Sequence, residues 1–133
     1  MIKQYIEPAH KDVFEAKQLR LVISNYENVA LGMIDIFDFD FLNKRAGIGI
    51  LIKDEKDRGK GVGAEALHLL VKYSFTHLQL HQLYCNIFEE NKASLKLFKK
   101  QGFKIIGLKN DWIFTNNKFE NEYLLQLINT DVL

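Results

Sequence analysis

Over the first half of the chain, polar residues alternate with apolar ones or bound short apolar runs. Gln18 to Ser24 (Q-L-R-L-V-I-S) is rich in aliphatic and β-branched side chains and predicts a strand. The polar cluster Asn25-Tyr26-Glu27-Asn28 separates it from Val29 to Phe37, a second strand-like run, so the pair predicts a hairpin. An acidic and aromatic stretch, Asp38-Phe39-Asp40-Phe41, and the basic turn Asn43-Lys44-Arg45 come next. Ala46 to Ile52 (A-G-I-G-I-L-I) then has the near-continuous apolar character of a well-buried third strand. Its glycines, Gly47 and Gly49, predict a bulge or a close backbone approach. Ahead of all this, the segment through Phe14-Glu15-Ala16 predicts a helix end.

At Val62 the period lengthens. Ala66, Leu67, Leu70, Val71, Ser74, Phe75 and Leu78 fall on one stripe while Glu65, His68 and Lys72 point elsewhere, predicting an amphipathic helix to about His77. Leu83 to Phe88 predicts a fourth strand, and Asn91 is a natural N-cap for a short helix ending at Gly102. Lys96, Lys99 and Lys100 suit the negative end of that helix. Phe103 to Leu108 and Phe119 to Ile128 complete the pattern as strands. The order β-β-β-α-β-α-β-β predicts an α/β fold: a mixed, mostly antiparallel sheet with a central parallel β-α-β crossing and flanking helices.

Composition narrows the partners. The chain of 133 residues, 47% hydrophobic, suffices for one core and not for two ordinary domains, so one domain over 1–133 is expected. A formal charge of +1 gives no bulk electrostatic ground for nucleic acid or an anionic membrane as partner. The single cysteine, Cys85, excludes an intramolecular disulfide framework, and the N-terminus lacks an apolar leader, which together predict a cytoplasmic protein.

The most informative segment is Arg58-Gly59-Lys60-Gly61-Val62-Gly63, lying between a buried strand and an amphipathic helix. Three glycines let the backbone curl so that successive N–H groups face one point, and the helix adds its positive end, a combination suited to a pyrophosphate. Arg58 and Lys60 add charge. The spacing fits neither a P-loop nor G-x-G-x-x-G, and a Gly-rich connection that merely turns the chain is the alternative.

This loop resembles the R/Q-x-x-G-x-G/A signature of the GNAT superfamily of N-acetyltransferases, with Arg58, Gly61 and Gly63 at the signature positions. Downstream, Asn91-Lys92-Ala93-Ser94 through Phe98-Lys99-Lys100-Gln101-Gly102-Phe103 resembles the N-x-x-S/A-x-x-L-Y-x-K-x-G-F block of the same superfamily. The resemblance covers about Gln18 to Ile128 and is greatest for the branch of spermidine and ribosomal-protein N-terminal acetyltransferases. It implies acetyl-CoA as co-substrate and no metal. The pantetheine arm would pair with backbone groups of Ile50, Leu51 and Ile52, and the pyrophosphate would sit on the amides of Gly59, Lys60, Gly61, Val62 and Gly63. Asn91 would bond the pantetheine arm, although an ordinary N-cap is its alternative role, and Ser94, Phe98 and Lys100 belong to the segment flanking the thioester and adenosine end.

Acetyl transfer to an amine requires the amine neutral and the departing thiolate protonated. An amine of pKa ~10.4 carries roughly 4 to 5 kcal/mol of protonation preference at neutral pH, met by a base, a water chain or a dry site. Asp35 and Glu89 are the candidate bases, each with the alternative of a solvated or amine-orienting carboxylate. Phe98 occupies the position where many family members carry the tyrosine acid, so Ser94 is the remaining hydroxyl, with a pantetheine contact as its other role and water as the other donor. The acceptor implied is a primary amine of a small, polyamine-like molecule or a peptide N-terminus. The rival function is a non-catalytic module that binds acetyl-CoA or CoA as a sensor, motivated by Phe98 and the lack of a clear base.

Other clusters are weaker. His77 and His81 are spaced i, i+4 but run from a helix end into a loop without a third ligand, which argues against a metal site. Asp35, Asp38 and Asp40 interleave with Phe37, Phe39 and Phe41, either attracting a cationic substrate or forming a strand end with a buried aromatic face. Trp112 either caps a cleft or packs on the last hairpin. Full-length relatives open with a strand and one or two helices before the equivalent of Gln18, whereas only about one helix's worth of residues precedes it here. Either the reading frame is truncated, giving a shortened N-terminus, or a partner subunit supplies the exposed sheet edge and the substrate-side wall, and a homo-oligomer is the expectation.

Overall fold

The structure is a computed structural model that describes residues 3–6, 18–52 and 61–129. The expected helix end near Phe14 and the loop residues Arg58, Gly59 and Lys60 lie outside the described residues. The elements are β1 (Lys3–Ile6), β2 (Gln18–Ser24), β3 (Ala30–Asp40), β4 (Arg45–Ile52), α1 (Val62–Thr76), β5 (Gln82–Phe88), α2 (Lys92–Lys100), β6 (Lys104–Thr115) and β7 (Lys118–Ile128). They form one sheet in the order β1-β2-β3-β4-β5-β7-β6. All neighbours are antiparallel except β4 and β5, the parallel pair that α1 connects.

Alternation along the strands sorts the sheet into two faces. Leu21 pairs with Ile34 and Ile34 with Ile50, and Ala46 pairs with Leu83, which pairs with Leu127, so apolar side chains line up across the sheet on one face. That face is covered by the stripe of α1, where Ala66, Leu67, Leu70, Val71, Ser74 and Phe75 are buried as their spacing predicts. Ser74 lies in the core without penalty because its Oγ donates to the Leu70 carbonyl, 2.8 Å away. From α2, Leu95 and Phe98 reach the same core.

The other face is more polar and carries the Arg20–Asp35 pair and the contact of Lys109 with Glu122. Here Gly47 has its reason: the ring of Phe37 on β3 occupies the space a Cβ would need. The close approach expected at this glycine is therefore made by a side chain rather than by backbone. At Gly32, by contrast, the crowding atom is backbone, the carbonyl oxygen of Leu51.

Two expectations change. First, β1 pairs antiparallel with β2 from Lys3↔Ser24 to Ile6↔Leu21, so a further strand lies outside β2. Among the described residues, the outer side of β1 is the edge of the sheet on this side. Second, β6 extends to Thr115 instead of ending near Leu108, absorbing Lys109-Asn110-Asp111 through a register shift between Lys109 and Ile113. Asp111 adopts φ 50° there, and its N–H donates to Asn121 Oδ1 at 2.8 Å, which substitutes for a ladder bond. The β5–β7 ladder ends at Phe88↔Glu122, so the β6–β7 hairpin projects past β5 and exposes Trp112, Phe114 and Phe119 at its tip.

Candidate active site

The site begins where the parallel ladder stops. β4 and β5 pair at Arg45↔Gln82, Ala46↔Leu83 and Gly47↔Tyr84 and no further, although β4 continues to Ile52 and β5 to Phe88. The strands part, and a wedge opens between residues 48–52 and 85–88. Ile50, Leu51 and Ile52 form the β4 wall of this wedge. Ile50 turns its side chain toward the helices, and Leu51 is exposed on the opposite face. An extended wall of this kind presents backbone donors and acceptors at a regular spacing to an amide-rich ligand arm.

At the helix side of the wedge stands the start of α1. Gly61 is its N-cap with φ 83°, a left-handed conformation that favours glycine, and it contributes no side chain to cap the helix. Its carbonyl accepts from Glu65 N–H at 3.0 Å, which starts the helical ladder and leaves the amides of Val62 and Gly63 in the unbonded first turn. Gly63 also fits its neighbours: a Cβ there would lie 3.3 Å from Leu97 Cδ2 and 3.6 Å from Ile50 Cδ1. The positive end of α1 is thus held close against both β4 and α2.

Asn91 caps α2, its Oδ1 accepting from Ser94 N–H at 3.1 Å. Leu97 reaches Gly63, and Gln101 Nε2 donates to the Ala64 carbonyl at 3.2 Å, so one side of α2 is docked on the start of α1. Ser94, half-buried, lies three residues before Leu97 and seven before Gln101, on that same side. Phe98 is 2% exposed and packs edge-on against Phe103, with ring centroids 5.1 Å apart. Lys100 lines a groove with Lys92, Lys96 and Lys99 against Ile105 and Tyr123.

The two carboxylates are both engaged. Asp35 stands opposite Arg20 in the β2–β3 register and accepts from its guanidinium Nε at 2.9 Å and Nη2 at 3.3 Å. Glu89 follows β5 and turns to β7: Asn121 Nδ2 donates to Oε1 at 3.4 Å and Tyr123 O–H to Oε2 at 3.5 Å. Wedge and Glu89 contacts therefore lie on opposite edges of β5. Sequence patterns did not single out Tyr84, whose pairing with Gly47 places it at the apex of the wedge, beside Phe37. Burial raises its pKa above the ordinary phenol value, with the negative charge of Asp38 adding to the effect.

The remaining candidates have local roles. His77 stacks on Tyr73 at 5.1 Å, and His81 donates its backbone N–H to the Lys44 carbonyl at 2.7 Å. The described residues contain no group of three His, Cys, Asp or Glu able to hold a metal ion. Asp40 accepts from the side chain and backbone of Asn43, and these bonds hold its carboxyl below the usual value, helped by Arg45. Trp112 belongs to the projecting hairpin, with Lys109 Nζ 4.9 Å above its ring. Cys85 is 1% exposed, and burial pushes its thiol up to about 12, so it is protonated and is no nucleophile. No described helix is long and apolar enough to cross a membrane.

Comparison with known proteins agrees with this geometry. Residues 1–104 match the family model described as Acetyltransferase (GNAT) domain. The spermidine N(1)-acetyltransferase of Vibrio cholerae is 25% identical over 120 residues, covering 88% of this chain and 69% of that protein. That of Escherichia coli K12 is 27% identical over 111 residues, covering 84% of this chain and 59% of its own length. This chain thus spans about three fifths to two thirds of the length of these relatives. Among solved structures, the Vibrio cholerae enzyme in complex with CoA and spermine superimposes with a TM-score of 0.82 at 21% identity, over 89% of this chain and 69% of that one. A dodecameric structure of the same enzyme gives 0.84 at 21% identity, over 91% and 70%. The parted β4 and β5, the glycine-capped helix and the family match together place the chain in the GNAT family of acetyltransferases.

Proposed function

We propose that this chain transfers the acetyl group of acetyl-CoA to a primary amine, of a small polyamine-like molecule or of a peptide N-terminus. The observation that carries the reading is the ladder between β4 and β5, which stops at Gly47↔Tyr84 with the start of α1, capped by Gly61 without a side-chain bond, beside the opening. Acetyl-CoA supplies a thioester whose carbonyl carbon takes the amine and whose sulfur leaves as thiolate. The residues fit such a ligand: Ile50, Leu51 and Ile52 align its pantetheine arm. The amides of Gly61, Val62 and Gly63, with Arg58, Gly59 and Lys60 before them, hold its pyrophosphate. Asn91 positions the arm from the start of α2 while capping the helix.

Ser94 is the residue we assign to the sulfur, as donor of the proton that the thiolate needs. Phe98 has no proton to donate, and it is buried against Phe103. Asp35 and Glu89 are the candidate groups for drawing a proton from the amine, directly or through water, and Arg20 or Tyr123 must yield for either to act. The branch resemblance favours a polyamine-like acceptor, and the dodecameric relative favours a homo-oligomer for this chain too. We place the protein in the cytoplasm as one domain over 1–133. The test is CoA release from acetyl-CoA over a panel of spermidine, amino sugars, amino acids and N-terminal peptides. Binding of acetyl-CoA without turnover of any amine would favour the sensor function instead.

A further inference from the structure

Carboxylates and cations are matched over much of the described surface. Arg20 faces Asp35, Arg45 faces Asp40, Lys109 faces Glu122, and Lys118 lies between Glu90 and Glu120. On α2 the cations are instead gathered without acids beside them. Lys92, Lys96, Lys99 and Lys100 line one groove of about 610 Å³, and among the described residues none of them forms an ion pair. Four cations side by side repel one another, an arrangement that an acidic occupant relieves.

The groove lies away from the cofactor wedge. Leu97 and Gln101 dock α2 on the start of α1, whereas the lysines look toward β6 and β7, where Ile105 and Tyr123 join Leu95 as an apolar floor. The charges form a line rather than a cage. At a rise of about 1.5 Å per residue, Lys92 to Lys100 span about 12 Å, and Lys92 and Lys96 are offset by about 6 Å. Alternate side chains of an extended peptide are spaced by about 6.6 Å, close to that offset. A single phosphate would meet only part of such a line, whereas acidic residues at alternate positions would meet successive lysines, with an apolar side chain set on the floor between them.

We propose that this groove docks an extended acidic segment of a protein partner, with acidic residues at alternate positions and an apolar anchor. Docking there requires neither the wedge nor turnover, although Tyr123 on the floor also bonds Glu89. A nucleic acid offers a similar linear charge, but the groove provides only the half-buried Tyr123 as a stacking surface and the chain's formal charge is +1.

The test is fluorescence anisotropy of the full chain with a labelled peptide of alternating glutamates around one phenylalanine. A glutamine version of the peptide and a short thymidine oligonucleotide serve as comparisons. The expected result is saturable binding of the acidic peptide that weakens as salt shortens the Debye length from about 10 Å at 0.1 M to about 3 Å at 1 M. Lys96→Glu with Lys99→Glu should weaken it by roughly tenfold or more, equivalent to about 1.4 kcal/mol, while the melting shift with acetyl-CoA stays unchanged. If the reversed charges impair folding, seen as loss of that shift, Lys96→Gln with Lys99→Gln gives the same comparison. No saturable binding, equal binding of the glutamine peptide, indifference to the lysine substitutions, or tighter binding of the oligonucleotide would each overturn the proposal.

Discussion

Leu97 of α2 rests where a side chain at position 63 of α1 would begin: a Cβ on Gly63 would meet Leu97 Cδ2 at 3.3 Å, with Ile50 Cδ1 of β4 at 3.6 Å. This contact fixes how closely the amide end of α1 approaches the wedge. Gly63→Val adds two branches to a space already tight for one carbon and should destabilise the fold by about 1–3 kcal/mol, read by denaturant unfolding. It should also weaken acetyl-CoA binding, because α1 must withdraw from the pyrophosphate position. An unchanged affinity would show that the register of α1 against α2 does not set the cradle.

Gly61 permits a different test, since nothing lies within 4 Å of a Cβ there and only the backbone resists substitution. Gly61→Ala should cost about 1–2 kcal/mol for holding an alanine at φ 83°. Gly61→Asp adds a negative charge at the phosphate position, so its melting shift with acetyl-CoA should be lost. For the native protein that shift corresponds to about 2.7 kcal/mol at a hundredfold excess over Kd.

Ser94 and Phe98 separate proton donation from packing. If Ser94 protonates the sulfur, Ser94→Ala should lower kcat by roughly ten- to ten-thousandfold with little change in acetyl-CoA affinity. Phe98→Tyr should not restore the rate: Phe98 is 2% exposed against Phe103, and a hydroxyl left unbonded there should cost about 1–3 kcal/mol. A rise in kcat would mean that the ring's far edge reaches the wedge.

Asp35→Asn distinguishes a base from a structural partner. Because Arg20 already holds both carboxylate oxygens and the pair is partly exposed, losing it should cost at most about 1 kcal/mol of stability. A fall in kcat of a hundredfold or more, without a comparable rise in KM, would identify Asp35 as the group that takes the amine's proton.

Cys85 supplies a pH-dependent outcome. Its folded value of about 12 lies above the ordinary value of 9.0, so the native state retains a proton that the unfolded chain loses between these values. The stabilisation is therefore fully present below pH 9.0 and is lost as pH rises toward 12, by about 1.4 kcal/mol per unit. Cys85→Ala should flatten that decline. At pH 8 the native thiol should not react with Ellman's reagent, and one thiol per chain should appear on unfolding.

What the sequence made legible was periodic or capped. The stripe of α1, the Asn91 cap, the Gly102 terminus and the parallel crossing all follow from local spacing, and the two glycine-bearing motifs carried the family resemblance. What it hid depends on register. Arg20 and Asp35 are partners because β2 and β3 pair as they do, and the direction in which Glu89 turns is decided by Asn121 and Tyr123 on β7. The strand Lys3–Ile6 is too short to show a period and is defined by its pairing with β2. Lys109-Asn110-Asp111 lies past the expected strand end at Leu108 and is instead a bulge within the strand, where Asn121 supplies an acceptor. The burial of Phe98 was within reach of pattern reading, since it shares a helix face with Leu95.

Product formation from acetyl-CoA and the amine panel, followed by mass spectrometry of the acceptor beside the release of CoA, tests the central claim most directly. At least one primary amine should gain an acetyl group in proportion to the CoA released, and Gly61→Asp should abolish both. No acetylated product from any primary amine, with acetyl-CoA shown by its melting shift to be bound, would contradict the claim.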